Sequence, residues 1–136
     1  HVLLVEDIPL NQEIAMEIIG ATGAAVECAS DGREGLQRFG EMARGYFDMI
    51  FMDIQMPVMN GYEATRAIRK LPREDALTIP IVALSANAFA EDIAASREAG
   101  MNEHLTKPLD VPQLLAVMSR WLKEKPEAMA AVNREA

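Results

Sequence analysis

Short apolar runs alternate along the chain with longer stretches whose apolar positions recur every three or four residues. The runs are Val2–Val5, residues 49–52 and residues 81–84, with weaker ones at residues 25–29 and 104–106. Unbroken apolar runs fit strands buried on both faces, whereas half-exposed strands alternate. Between them, Leu10, Ile14 and Ile18 repeat every four residues and predict an amphipathic helix, with Pro9 in its first turn and Gly20 and Gly23 ending it. Asp31 and Gly32 open a second helix marked by Leu36 and Phe39 and closed by Gly45. A third carries Tyr62, Thr65 and Ile68 and stops at Pro72. A fourth, residues 88–99, turns Phe89 and Ile93 inward and closes at Gly100. Asp110 caps a fifth, with Val111, Leu114, Leu115, Met118 and Leu122 on its apolar side.

Five strands alternating with five helices predict an α/β fold, a doubly wound parallel sheet covered on both faces. In such open sheets ligands bind at the carboxyl ends of the strands, near a topological switch point. From Lys125 onward, Pro126, scattered alanines and charges read as a tail, so residues 1–123 form one domain and residues 124–136 a tail or linker.

Composition narrows the function. The chain has 136 residues, half of them apolar, with 21 acidic and 13 basic side chains and a net charge of −8. That sign argues against direct nucleic-acid binding and suits a divalent cation or a basic partner surface. Cys28 is the one cysteine, which excludes an internal disulfide and a cysteine metal cluster and fits a reducing compartment, the cytoplasm. No apolar run approaches the ~18 residues that span a bilayer, so the domain itself makes no membrane contact. An acidic pair follows Val2–Val5 at once, unlike a signal peptide, and the chain opens inside a strand as a domain cut from a longer protein would.

The polar residues fall at strand ends. Glu6 and Asp7 follow the first strand, Asp53 the third, Ser85 the fourth and Lys107 the fifth. In a parallel sheet all these ends share one edge, and three carboxylates meet there. Packed together they repel unless a hard cation such as magnesium joins them. Three carboxylates, one divalent ion and one ammonium then cancel in charge. Such a site suits a dianionic phosphoryl group, with an aspartate as nucleophile forming an acyl phosphate.

These residues carry a resemblance. The segment Val2-Leu-Leu-Val-Glu-Asp7 resembles the opening of bacterial response-regulator receiver domains. Asp53-Ile-Gln-Met-Pro-Val-Met-Asn-Gly61 is similar to their phosphorylation loop, and Ala83-Leu-Ser-Ala-Asn87 to their switch-hydroxyl segment. Gly100-Met-Asn-Glu-His-Leu-Thr-Lys-Pro108 resembles their last strand and lysine. The resemblance covers residues 1–123. It implies a flavodoxin-like fold with strand order 2-1-3-4-5, and Asp53 as acceptor of a phosphoryl group from the phosphohistidine of a histidine kinase or histidine phosphotransfer domain. Glu6, Asp7, Asp53 and the backbone carbonyl of Gln55 would hold Mg2+, with Mn2+ as a substitute. Lys107 would pair with the phosphoryl oxygens, and Ser85 would move in to hydrogen-bond them. The Lys107–Pro108 bond would be cis. His104, where the family commonly has tyrosine or phenylalanine, would turn inward behind Ser85, switching the face of the fourth helix, fifth strand and fifth helix. That face is also where a homodimer would form. The segments around Leu10-Asn11, Asn60-Gly61 and Ala83 to Ala90 resemble receivers attached to hybrid sensor histidine kinases.

Competing chemistry is weaker. An aspartate-nucleophile phosphatase resembles this arrangement but has a second aspartate two residues on, where this chain has Gln55. A flavin binder needs a phosphate loop after the first strand, and Glu6-Asp7 there repels phosphate. A receiver used only for protein binding does not need the full set of site residues. Met49 and Met52 read as core, Met56 and Met59 as loop-shaping, and Cys28 as a small core residue. Trp121 covers the sheet edge or a partner surface. Asn87 caps the fourth helix or controls water near the acceptor. His104 is no metal ligand, since His1 is the only other histidine.

Overall fold

In the computed structural model, residues 1–86 and 90–122 are described. Asn87, Phe89 and the tail expected at 124–136 lie outside the described residues. The elements run β1 (Val2–Val5), α1 (Pro9–Gly20), β2 (Val26–Ala29), α2 (Gly32–Glu41), β3 (Met49–Asp53), α3 (Gly61–Arg69), α4 (Glu74–Thr78), β4 (Ile81–Ser85), α5 (Ala90–Ala99), β5 (Glu103–Thr106) and α6 (Val111–Leu122). The sheet has the order β2-β1-β3-β4-β5, and every pair is parallel. β1, β3 and β4 are buried at every position, as their unbroken apolar sequences predict.

Strand pleating splits the core into two layers. Leu3, Val5, Ile50, Met52, Ile81 and Ala83 pack with Phe39 of α2 and Ala64 and Ile68 of α3. Val2, Leu4, Met49, Phe51, Val82 and Leu84 pack with Ala15 and Ile19 of α1 and Leu114, Val117 and Met118 of α6. Burying the larger of these side chains, the valines, leucines, isoleucines, methionines and phenylalanines, contributes roughly 1.5–3 kcal/mol each.

The structure corrects the helices in three places. There are six among the described residues rather than five, because α4 forms between Pro72 and β4, where the sequence reading placed no element. At five residues it is too short to show a period. Arg73 holds it in place: its guanidinium donates to Asp75, to Phe39 O at 3.2 Å and to Met42 O at 2.9 Å, and stacks 4.6 Å over the Phe39 ring. In α1 the buried positions are Ala15 and Ile19, while Leu10 and Ile14 are 64% and 45% exposed. The small Ala15 lets the helix lie close on the sheet, which turns the larger residues at 10 and 14 to solvent. In α6, Val111 and Leu115 are exposed and Leu114, Val117 and Met118 face the sheet. Among the described residues no helix is long and apolar enough to cross a membrane.

Candidate active site

The carboxyl edge of the sheet gathers the expected residues. Asp53 is the last residue of β3, and Glu6 and Asp7 directly follow β1. One carboxylate oxygen from each of the three lies within 4.8 Å of the others. Lys107, just past β5, donates from Nζ to Glu6 Oε1 at 2.7 Å and approaches Asp53 Oδ2 at 3.4 Å. Ser85 ends β4 one register position beyond the residue paired with Asp53, and its carbonyl accepts the Lys107 amide at 2.7 Å. The Lys107–Pro108 peptide is cis. Gln55 lies exposed in the loop after Asp53. His104 is outside the cluster, on β5 opposite Ala83.

Backbone packing holds the loop after Asp53. A Cβ on Gly61 would stand 2.3 Å from Asp53 O, so only glycine permits the close return of the chain. The Gly61 amide donates to Ile54 O at 2.9 Å, closing that return. Asn60 then caps α3: its side chain accepts from the Glu63 amide at 2.9 Å, and the Glu63 carboxylate accepts from the Asn60 amide at 3.2 Å. Met59 O accepts the Gly32 amide at 3.2 Å, tying the loop to the start of α2. Between these anchors Val58 adopts φ 69° and is 74% exposed. A β-branched residue in that region is strained.

The electrostatics follow from burial and crowding. Burial, then the adjoining Glu6 carboxylate, push the Asp53 carboxyl up to about 7, and Lys107 offsets only part of this. Burial also opposes ionisation of Glu6, but hydrogen bonds from Asp53 and Lys107 outweigh it and hold Glu6 below the usual carboxylate range. For Lys107, burial favours the neutral amine, and the two carboxylates reverse this and raise it. Of these two neighbouring carboxyls, Asp53 is the one driven toward its protonated form and Glu6 the one held ionised. Asp7 Oδ1 is buried with no hydrogen-bond partner. An orphaned carboxylate oxygen beside two further carboxylates fits a hard divalent cation.

Sequence reading missed some of the supports. Gln12 donates from Nε2 to Glu6 O at 2.6 Å, pinning the acidic pair to α1. No motif marks this, because the contact depends on how α1 turns over β1. The spacing also placed Lys107 against the phosphoryl group without showing that Glu6 holds it first. A cleft of about 460 Å3 beside the loop is lined in part by Gln55, Asn60, Tyr62, Ser85 and Asp92.

A five-stranded parallel sheet of order 2-1-3-4-5 with an acidic cluster and a lysine at its carboxyl edge defines a flavodoxin-like signalling fold. The chain belongs to the response regulator receiver domain family, whose model matches residues 2–119. It is 37% identical to the Escherichia coli aerobic respiration control sensor protein ArcB, over 99% of this chain and 17% of that protein. The chain thus spans less than a fifth of the curated sensor kinases it matches. It is similar to the receiver domain of a Pseudomonas aeruginosa sensor histidine kinase solved with magnesium in its active-site cleft. The TM-score there is 0.79 and the identity 37%, over 90% of this chain and 96% of that one. It is also similar to a chain in the Saccharomyces cerevisiae co-crystal structure of the phosphotransfer protein Ypd1 with the receiver of Ssk1. There the TM-score is 0.79 and the identity 31%, over 88% of this chain and 86% of that one.

Proposed function

We propose that Asp53 accepts a phosphoryl group from the phosphohistidine of a histidine kinase or histidine phosphotransfer domain, in the cytoplasm. One observation carries the reading. Three carboxylates meet within 4.8 Å, and the Lys107 ammonium stands 3.4 Å from the one at the end of β3. An Asp53 carboxylate oxygen attacks phosphorus, the phosphorus–nitrogen bond of the donor breaks, and the imidazole leaves with its electron pair. Asp53 must be ionised to attack, and its raised proton affinity opposes this until a cation or a higher pH removes the proton. Lys107 then exchanges Glu6 for a phosphoryl oxygen, a short move for a flexible ammonium already between the two carboxylates. Ser85, on the adjoining strand end, donates its hydroxyl to another oxygen.

Glu6, Asp7, Asp53 and the Gln55 backbone carbonyl would hold Mg2+, with Mn2+ able to replace it. When bound, the ion supplies the positive charge that lets three carboxylates and a phosphoryl group share the site. The face formed by α5, β5 and α6 is the output surface, open to a downstream partner or a second copy of the chain. The relatives and the site together support a parent hybrid histidine kinase, membrane-anchored or not.

Intact mass after incubation with acetyl phosphate tests this, with magnesium, with chelator, and on Asp53→Asn. A single phosphoryl adduct that needs both magnesium and Asp53 is expected. No adduct together with no magnesium binding overturns the reading and leaves a protein-binding module.

A further inference from the structure

Ser96 of α5 is 2% exposed, and its hydroxyl has two partners. Oγ donates to Asp92 O at 3.0 Å and lies 3.2 Å from His104 Nδ1. A hydroxyl has one hydrogen, and a backbone carbonyl can only accept. If the serine hydrogen goes to Asp92, the hydrogen between Ser96 and His104 must come from the imidazole. His104 would then carry a proton on Nδ1, whatever its Nε2 holds. The Asp92 carbonyl also receives Tyr62 Oη at 3.5 Å, so α3, α5 and β5 meet on this short path.

His104 sits where the ring can report on the acceptor site. It opposes Ala83 on β4, and two residues further along both strands Thr106 opposes Ser85. Alternation places Ala83 and Ser85 on one face of the sheet, with His104 and Thr106 beside them. A cavity of about 180 Å3 lined in part by Ile93, Ser96, Arg97, Met101, Glu103 and His104 borders the ring. Turning the ring inward toward Ser85 must break the bond to Ser96. A phenyl ring at position 104 would have no nitrogen to hold.

We propose that Ser96 is a positioning residue, a latch that accepts a hydrogen bond from His104 Nδ1 in the resting domain and lets go when the acceptor site is loaded. The loading half rests on the phosphoryl reading above; the resting half does not. A bond made in one state only shifts the equilibrium by its own net contribution, so its loss favours the loaded state about two- to tenfold.

The test is side-chain 15N NMR of the whole chain, in which the two histidines are readily told apart. It is run with and without magnesium and beryllium fluoride, a phosphoryl mimic, alongside the affinity for the mimic. In the resting protein Nδ1 is expected to be protonated, with that signature lost in Ser96→Ala and on loading. Ser96→Ala and His104→Phe are each expected to bind the mimic two- to tenfold more tightly, and the double variant no more tightly than His104→Phe. If Ser96→Ala does not fold, His104→Phe gives the affinity readout alone. A bare Nδ1 in the resting wild type, or unchanged affinity in His104→Phe, overturns the latch. Should the wild type take up no mimic, the phosphoryl reading and the release step both fail, and the Nδ1 signature alone decides the resting contact.

Discussion

At the Asp53 carboxyl, folding and chemistry oppose each other. Folding moves this group from the ordinary value of 3.8 up to about 7, chiefly by burial and then by Glu6. The folded state therefore binds the proton more tightly than the unfolded chain. Below the unfolded value both states are protonated, and the contribution is fully present. It declines as pH rises through the interval and is gone above about 7. Without metal, Asp53→Asn should be more stable than wild type by an amount that grows from about pH 4 to 7 and then levels off. The full difference is on the order of 2–4 kcal/mol. Urea melts across that pH range, in chelator, measure it; a flat difference would show that Asp53 titrates normally. The sequence placed Asp53 at this edge correctly because a polar residue ending an apolar strand can only reach the sheet edge. It did not reveal that Glu6 takes Lys107 while Asp53 is pushed up, since side-chain pairing is settled by distances that no spacing encodes.

The loop between β3 and α3 shows how an element serves the site at some strain. Gly61 and Val58 are three residues apart, and their substitutions should act in opposite directions. A Cβ at Gly61 would meet Asp53 O at 2.3 Å and Ile54 Cα at 2.8 Å, both backbone atoms that cannot swing aside. Gly61→Ala should lower stability by about 2 kcal/mol or more and displace the acceptor. Val58 at φ 69° carries the opposite problem, a Cβ where the backbone disfavours one. Val58→Asn should raise stability by about 1 kcal/mol, because asparagine tolerates the left-handed region. Denaturant midpoints of the two variants check both signs. Gly61 was visible in the sequence as the close of a turn-rich loop, whereas the strain at Val58 was not, because nothing local requires a valine there. The helices divide in the same way. Apolar spacing located α1 but chose Leu10 and Ile14 as its inner stripe. The observed stripe uses Ala15, whose size matters only once the distance to the sheet is known. The short α4 had no period to detect.

Across the whole molecule, the sheet order decides which charges meet. Placing β1 between β2 and β3 brings Glu6 and Asp7 beside Asp53, and β4 and β5 then carry Ser85 and Lys107 to the same edge. The strand pattern made the parallel sheet readable, whereas its order was legible only through the resemblance of the strand-end motifs to receiver domains. One consequence is a chain of net charge −8 that concentrates three carboxylates at one point, where burial and crowding raise the proton affinity of Asp53. Filling the site with magnesium should therefore stabilise the whole fold. At a concentration one hundred times the dissociation constant the gain is about 2.7 kcal/mol, seen as a raised Tm. Because Asp53 must release its proton to become a ligand, the gain should depend on pH. Above about 7 magnesium affinity should be flat, and below it should fall toward tenfold for each pH step, one proton leaving per ion bound. Calorimetric titration in two buffers of different ionisation enthalpy counts that proton directly. In Asp53→Asn both the proton release and the pH slope should vanish while weaker binding through Glu6 and Asp7 persists. A slope unchanged in the variant would assign the released proton to Glu6 instead.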